Sequence, residues 1–400
     1  MGWREITVVK QRWEFVKAWL KSEISKSALC RRFGISRKTG YKWVARHAAE
    51  GKAGLANRSR APVRQAAAIS AEVKRLIVAL RRRRGWGARK LMVELRRHLG
   101  RRGLPSLSTV ERILERKGLT RRRRKRRGVA AWQGKLTEAD RANRVWRADY
   151  KGHFVTGDGE RVEPLTVTDG YSRYLVVLRP SRGTGEREAR VAFEAAFMRY
   201  GLPDVILTDN GNPFVSTTVT GLTRLGVWWL KLGIRHERIA PGRWYQNGSH
   251  ERFHRTLSEA TLTPPAPTRR AQRWRFARFQ ELYNQERPHE ALGQEPPARR
   301  YRRSQRKLPR RLPAPNYASD MTVRRVRRNG QIKWQGHLVY VGEVLAGELV
   351  GLRQDAATGR VDVHFYRRHL GSIEARGTAR ILRRPPPPPR GRRRTDKTQP

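Results

Sequence analysis

Asp204-Val205-Ile206-Leu207-Thr208-Asp209-Asn210-Gly211 is a short apolar run closed by an aspartate and followed at once by a turn signal. A run of this length bounded by turn residues reads as a buried strand. The Asn-Gly pair takes the chain away from the strand's end. Asp209 is thereby left at the carboxyl edge of a sheet, where ligand sites of open α/β sheets lie. Upstream, Val145-Trp146-Arg147-Ala148-Asp149-Tyr150 and Glu163-Pro164-Leu165-Thr166-Val167-Thr168-Asp169 read as two more strands. A turn at Gly170 leads to Tyr174-Leu175-Val176-Val177-Leu178, and a helix from about Glu186 to Tyr200 ends at Gly201, a C-cap. Strands followed by helix, strand and helix predict an α/β layer with a mixed sheet.

Two further acids stand out beside Asp209. Asp149 lies inside a strand, where an acid is disfavoured unless it has a task or an edge position. Glu251 opens a helix after Gln246-Asn247-Gly248-Ser249-His250. On that helix Phe253 and Leu257 face the core, while Glu251, His254 and Arg255 share the other face. Each acid alone has a plain explanation as a turn residue, a helix-dipole partner or a surface charge. Three in one α/β domain are more specific, because the chain is otherwise cationic: 89 Lys and Arg against 34 Asp and Glu give a formal net charge of +55. Such a surface attracts phosphate chains and repels divalent metals unless acids are gathered at a point.

Four hundred residues exceed what one core usually fills, so several domains are expected. No stretch of about 18 apolar residues could span a bilayer, and the start of the chain lacks the apolar segment of a secretion signal. A cytoplasmic protein handling nucleic acid is the expectation. Cys30 stands alone, which excludes an internal disulfide and any cysteine-based zinc cluster.

Residues 1–60 read as a helical domain: Trp13, Val16 and Leu20 recur at helical spacing, and a Gly-containing turn leads to a Ser-capped helix. The pattern fits a helix-turn-helix whose second helix presents Arg37, Lys38 and Lys42 to a major groove, or an ordinary helical hairpin with a solvated basic face. Residues 61–127 hold a second such candidate. Val73, Leu76, Ile77 and Leu80 mark one buried helix face, Leu91, Leu95 and Leu99 another, and Ser108 with Glu111 reads as a capping box. The unit closes in Arg121, Arg122, Arg123, Arg124, Lys125, Arg126 and Arg127, a run that tracks phosphates or merely solubilises a linker. The core spans 128–262, and a post-core helix and linker with Trp274, Phe276, Phe279 and Tyr283 span 263–317. Residues 318–380 read as a small SH3-like β-barrel of five or so strands, with a hairpin turn at Asn329-Gly330 and alternating Val361, Val363 and Phe365. Residues 381–400, with prolines at 385–389, read as a disordered basic tail.

The order Trp146-x-x-Asp149, Thr168-Asp169-Gly170-Tyr171-Ser172-Arg173-Tyr174, Thr208-Asp209-Asn210-Gly211 and Gln246-Asn247-Gly248-x-x-Glu251-Arg252-Phe253-His254-Arg255-Thr256-Leu257 resembles the catalytic core of bacterial insertion-sequence transposases, of the superfamily shared with retroviral integrases. The similarity continues through Tyr283-Asn284-Gln285-Glu286-Arg287-Pro288-His289-Glu290-Ala291-Leu292 and covers about residues 140–300. It implies an RNase H-like α/β core whose two Asp and one Glu, the catalytic and metal-binding acids, fall on Asp149, Asp209 and Glu251. It also implies Mg²⁺ or Mn²⁺, two ions, as cofactor, and double-stranded DNA (terminal inverted repeats and target) as partner. The chain would act as a homo-oligomer on that DNA. Arg255 is then a phosphate contact, and Asn210, Asn247 and His254 supporting residues around the metal ligands. The interval from Asp209 to Glu251 is longer than the family's commonest spacing, and the excess is expected as a surface loop around Ser216–Trp229. Three other readings compete: a non-catalytic helix-turn-helix regulator, which does not require the acid triplet, an RNase H-like nuclease that cuts without joining, and a decayed or domesticated copy, against which the presence of all three acids and their flanking motifs argues.

Overall fold

The computed structural model describes residues 7–21, 24–58, 69–101, 103–120, 136–216, 218–239, 248–356, 358–376 and 379–383. The expectations for Arg121 to Arg127, for Asn247 and for the tail beyond residue 383 lie outside the described residues. The chain divides into two compact units, Met1–Ser70 and Ala71–Pro400.

The first unit holds α1 (Val8–Lys21), α2 (Lys26–Arg32) and α3 (Arg37–Glu50). Ser25 and Ser36 cap the second and third helices, their hydroxyls accepting from Ala28 N and Thr39 N. The helices close on Phe15, Val16, Leu29, Cys30 and Trp43. Gly40 permits the fit, since a Cβ there would lie 2.8 Å from Cys30 Sγ. Arg37, Lys38, Tyr41 and Lys42 stand exposed on α3, as a recognition helix requires.

The second unit begins with α4 (Ala71–Arg84), α5 (Ala88–Leu99) and α6 (Leu107–Arg116), packed around Ile77, Leu80, Leu91, Leu95, Val110 and Leu114. One detail departs from the sequence reading. The cap of α6 is Ser106, whose backbone is extended and whose hydroxyl accepts from Thr109 N, whereas Ser108 already lies inside the helix. Two serines two residues apart offer the same local signal, and the backbone takes the one that leaves Val110 and Leu114 buried.

The central sheet contains β1 (Val145–Tyr150), β2 (Phe154–Val155), β3 (Arg161–Asp169), β4 (Leu175–Ser181), β5 (Val205–Thr208) and β6 (Arg235–Arg238). β4, β3 and β1 are antiparallel neighbours, and β5 then β6 continue the sheet parallel to β1. Helix α7 (Glu186–Tyr200) joins β4 to β5, and α8 (Arg224–Lys231) joins β5 to β6. Together they cover one face, with Phe193, Phe197, Trp228 and Trp229 over Trp146 and Ala148. On the other face, α9 (Gly248–Thr261) and α10 (Arg269–Gln285) pack Phe253, Leu257, Phe276, Phe279 and Tyr283 against Leu175. This is the RNase H-like mixed sheet with helices on both faces.

The stretch expected to be a surface loop is instead largely core. Leu225, Trp228 and Trp229 of α8 enter the central core, and Val227 and Leu230 enter that of the C-terminal domain. A helix apolar all round is a buried one, and this one is clamped between two layers.

Asn284, in the last turn of α10, acts as an extra strand partner. Its Oδ1 accepts from Leu175 N at 2.8 Å and its Nδ2 donates to Leu175 O at 3.0 Å. Asn284→Ala would take this acceptor from the buried Leu175 N, at about 1–3 kcal/mol when left unsatisfied, while Leu175 O keeps Gln280 Nε2 as a donor at 2.9 Å. The expected result is a clear drop in thermal midpoint by calorimetry, and an unchanged midpoint would refute the strand-mimic role. At the end of the same helix Glu286 receives Arg84 of α4 at 2.6 Å, and the same guanidinium holds the buried Glu94 of α5 at 3.0 Å. The second helical bundle is thus seated on the core's post-core helix.

The C-terminal domain has seven strands among the described residues. β7 (Thr322–Arg325), β10 (Leu349–Gln354), β11 (Val361–Phe365), β12 (Arg368–Arg376) and β13 (Ala379–Arg383) form one antiparallel sheet, and β8 (Gln331–Trp334) pairs β9 (His337–Tyr340). Val361, Val363 and Phe365 are buried as their alternation predicts. Asn329-Gly330 does turn the chain, with Gly330 at φ +77°. It connects β7 to β8, which do not pair with each other. The hairpin turn is Gln335-Gly336, whose two positive φ angles match the strand twist. Among the described residues no helix is long and apolar enough to cross a membrane.

Candidate active site

Residue parity and strand register bring two acids together. On β1, Trp146 and Ala148 face the α7 side, so Arg147 and Asp149 face the α9 side. The parallel register pairs Arg147 with Leu207 and Ala148 with Thr208. One step further, Asp149 stands beside Asp209, on the same face and at the same carboxyl ends. Neighbouring strands lie about 4.8 Å apart, so the two carboxylates share one crevice. Glu251 sits in the first turn of α9, where the helix dipole favours an anion, and is exposed.

The electrostatics report the same proximity. Burial first, then the negative charge of Asp209 and, more weakly, that of Glu251, push the Asp149 carboxyl up to about 7; a Tyr150 backbone hydrogen bond and Lys151 pull it back. Such a group holds a proton where other carboxyls are ionised, and a cation in the crevice would remove the reason. The ligand atoms within 4.8 Å of one another around Asp149 are its own carboxylate oxygen and a ring nitrogen from each of His250 and His254. Asp149, Asp209 and Glu251 together would offer an all-oxygen set, which fits a hard divalent ion such as Mg²⁺.

Behind Asp149 lies a network the sequence reading did not identify. Thr166, directly across the ladder from Asp149, donates its hydroxyl to Asp149 O at 2.9 Å. The same oxygen lies 2.7 Å from His250 Nε2 and 2.8 Å from His254 Nε2. With its one hydrogen used, Thr166 must accept from both rings, which places the proton of each imidazole on Nε2. Thr168 Oγ1 closes on His250 Nδ1 at 3.2 Å. His254 Nδ1 then faces Asp149 Oδ2 at 4.0 Å, lone pair toward carboxylate. Burial holds His250 well below its ordinary range and, with Lys151 adding to it, His254 at about 3, so both rings are neutral near pH 7. The legible signal was present: two histidines at i and i+4 share a helix face.

Asn210 donates to Ile239 O at 2.9 Å and pins the turn after β5 to the end of β6. It supports the position of Asp209 through the backbone. Arg255 is exposed on α9, while Arg37, Lys38 and Lys42 belong to the first unit. Gly211 has a role that spacing alone does not show, because a Cβ there would lie 2.9 Å from Asp209 Oδ2. The carboxylate could swing away at little cost in stability, but away from the crevice. A displacement of about 1 Å can cost about 10²-fold in rate. Gly211→Ala should therefore lose activity on that order in a cleavage assay with its thermal midpoint nearly intact, and full activity would show that Asp209 tolerates the shift.

The chain is similar to several known proteins. The Integrase core domain family matches residues 139–243, and a second Integrase core domain family matches 232–297. A Helix-turn-helix domain matches 11–62, a Homeodomain-like domain 39–114, and the IS481 family transposase C-terminal domain 321–379. The 39.2 kDa protein of insertion element IS476 from Xanthomonas euvesicatoria is 32% identical over 180 residues, 44% of this chain and 50% of that protein. The 31.7 kDa protein of insertion element IS407 from Burkholderia multivorans is 31% identical over 191 residues, 46% of this chain and 65% of that protein. The chain thus spans between half and two thirds of the length of these relatives. Among solved structures, the HTLV-2 integrase catalytic core domain in complex with magnesium is similar at 16% identity and a TM-score of 0.33, over 41% of this chain and 100% of that one.

Proposed function

Because this chain belongs to the bacterial insertion-sequence transposases of the DDE transposase and retroviral integrase superfamily, we propose that it binds the ends of an insertion element, cuts the DNA there and joins the freed 3′-hydroxyls to target DNA. The observation that supports this most is the negative charge of Asp209 and of Glu251 acting on the buried Asp149 carboxyl. A regulator has no use for a buried aspartate whose ionisation two neighbouring acids oppose. In this reading the three carboxylates hold Mg²⁺ or Mn²⁺, which supplies charge stabilisation to the attacking and leaving oxygens of an in-line displacement. Thr166, through its bonds to Asp149 O and to the Nε2 atoms of His250 and His254, fixes the Asp149 backbone and the two rings beside its carboxylate. Neutral His254 can neither repel the cation nor donate a stray proton. Arg255 and the basic run Arg121 to Arg127 hold backbone phosphates, and Arg37, Lys38 and Lys42 of α3 read the element's ends. Asn247 assists the metal ligands. One chain supplies one acid triplet among its described residues, so joining two ends at once takes at least two copies.

The test is strand transfer by the purified chain on duplexes carrying the element's terminal repeats. Joined product in Mg²⁺ or Mn²⁺ and none in EDTA is the expected result; cutting without joining would make the protein a nuclease, and neither would leave a DNA-binding regulator. Changing Arg37, Lys38 and Lys42 together to Ala should weaken binding to terminal-repeat DNA more than to scrambled DNA, read by titration at several salt concentrations. Equal losses on both DNAs would reduce α3 to a general phosphate contact.

A further inference from the structure

The C-terminal domain carries a second cluster of metal-ligating groups that the transposition reading does not use. Asp362 and His364 alternate on β11 with the buried Val361, Val363 and Phe365, so both face away from the domain core. A two-residue turn, Tyr366-Arg367, returns the chain on β12, and the ladder sets His369 directly opposite His364. One ligand atom from each of Asp362, His364 and His369 lies within 4.8 Å of the others.

Three features distinguish this cluster from a chance meeting of side chains. Among the described residues His369 Nε2 finds no hydrogen-bond partner and is shut off from solvent, yet it lies 3.3 Å from Asp362 Oδ1. A tetrahedral ion with bonds of about 2.0–2.1 Å holds its ligand atoms about 3.3–3.4 Å apart, so that pair is already at ligand spacing. The two imidazoles sit across the hairpin from each other, their ring centroids 5.1 Å apart and their planes tilted by 36°. The carboxylate is oriented from outside, with Ser372 Oγ donating to Oδ1 at 2.6 Å and Arg360 Nε donating at 3.0 Å, as outer hydrogen bonds orient metal-ligating carboxylates.

We propose that Asp362, His364 and His369 form a zinc site that clips the β11–β12 hairpin. Two nitrogens and one carboxylate suit a borderline ion such as Zn²⁺, whereas Mg²⁺ prefers an all-oxygen set. Three protein ligands leave a fourth position to water. The site is separate from the catalytic crevice in sequence and in the sheet that carries it. Arg360 is a cation on the same carboxylate, so it opposes the metal, and Arg360→Gln should tighten binding.

The experiment uses the full, tag-free chain carrying Asp149→Asn, which removes the carboxylate of the other histidine-containing cluster. Zinc retained after gel filtration is measured by elemental analysis, and Co²⁺ substitution is followed by visible absorption. The expected result is one ion per chain, lost in both His364→Asn and His369→Asn. Affinity should fall by more than the roughly 10–100-fold that loss of an outer partner costs. Should those variants misfold by circular dichroism, His369→Cys keeps a ligand and should retain the ion, with a new thiolate-to-cobalt absorption band. Zinc content unchanged by the histidine substitutions, no bound ion at micromolar Zn²⁺, or a His369→Cys chain without that band would overturn the site.

Discussion

Asp149→Asn, Asp209→Asn and Glu251→Gln are each expected to abolish DNA cleavage and joining while leaving binding to terminal-repeat DNA intact. The amides keep the shape of the side chain but remove an anionic oxygen from a donor set of three. Metal-assisted charge stabilisation contributes several kcal/mol to such a displacement, and each 1.4 kcal/mol is about tenfold in rate, so the loss should reach about 10³-fold or more. The measurement is single-turnover strand transfer in Mg²⁺ beside a gel-shift titration on the same DNA. Near-normal joining by any one amide variant would remove that residue from the catalytic set. A parallel loss of DNA binding would point to misfolding and is checked by the thermal midpoint.

The same Asp149→Asn change should stabilise the metal-free protein, an opposite effect on a different property. In the folded chain without metal the Asp149 carboxyl titrates near 7, against about 3.9 in an unfolded chain. Between those values the folded state holds a proton that the unfolded state has released, so stability falls as pH rises from about 4 to about 7 and stays low above. Asn does not titrate and avoids the loss. Each unit corresponds to about 1.4 kcal/mol, which bounds the advantage of the variant above pH 7 at about 4 kcal/mol. The advantage should vanish below pH 4. Mg²⁺ should reverse the order, because an ion that binds only the folded wild type stabilises it by mass action. Thermal midpoints in EDTA at pH 4 and pH 8, then with Mg²⁺ at pH 8, decide it. A variant less stable than wild type at pH 8 in EDTA would mean that Asp149 is not buried among like charges.

The sequence by itself determined whatever depends on neighbours along the chain. Apolar period and turn residues placed β1, β3, β4, β5 and α7, and Gly201 ended α7 as a C-cap at φ +80°. Ser36 announced α3, and the alternation of Val361, Val363 and Phe365 announced a strand with one buried face. Asp149, Asp209 and Glu251 could be singled out because an acid inside a strand, past a strand's end or opening a helix is a local anomaly. Only the tertiary structure decided what these acids are to one another. The parallel register of β1 on β5 sets Asp149 beside Asp209, and strand pairing over such a separation leaves no mark in either segment. Thr166 looked like an ordinary strand residue until the β1–β3 ladder put it behind Asp149, where it collects His250 and His254. The Thr- and Gly-rich approach to α8 suggested a loop because local composition registers propensity and not burial. Its tryptophans became core only once two layers closed on them. Local propensities are weak compared with the free energy of burying large apolar side chains, so packing overrode them there.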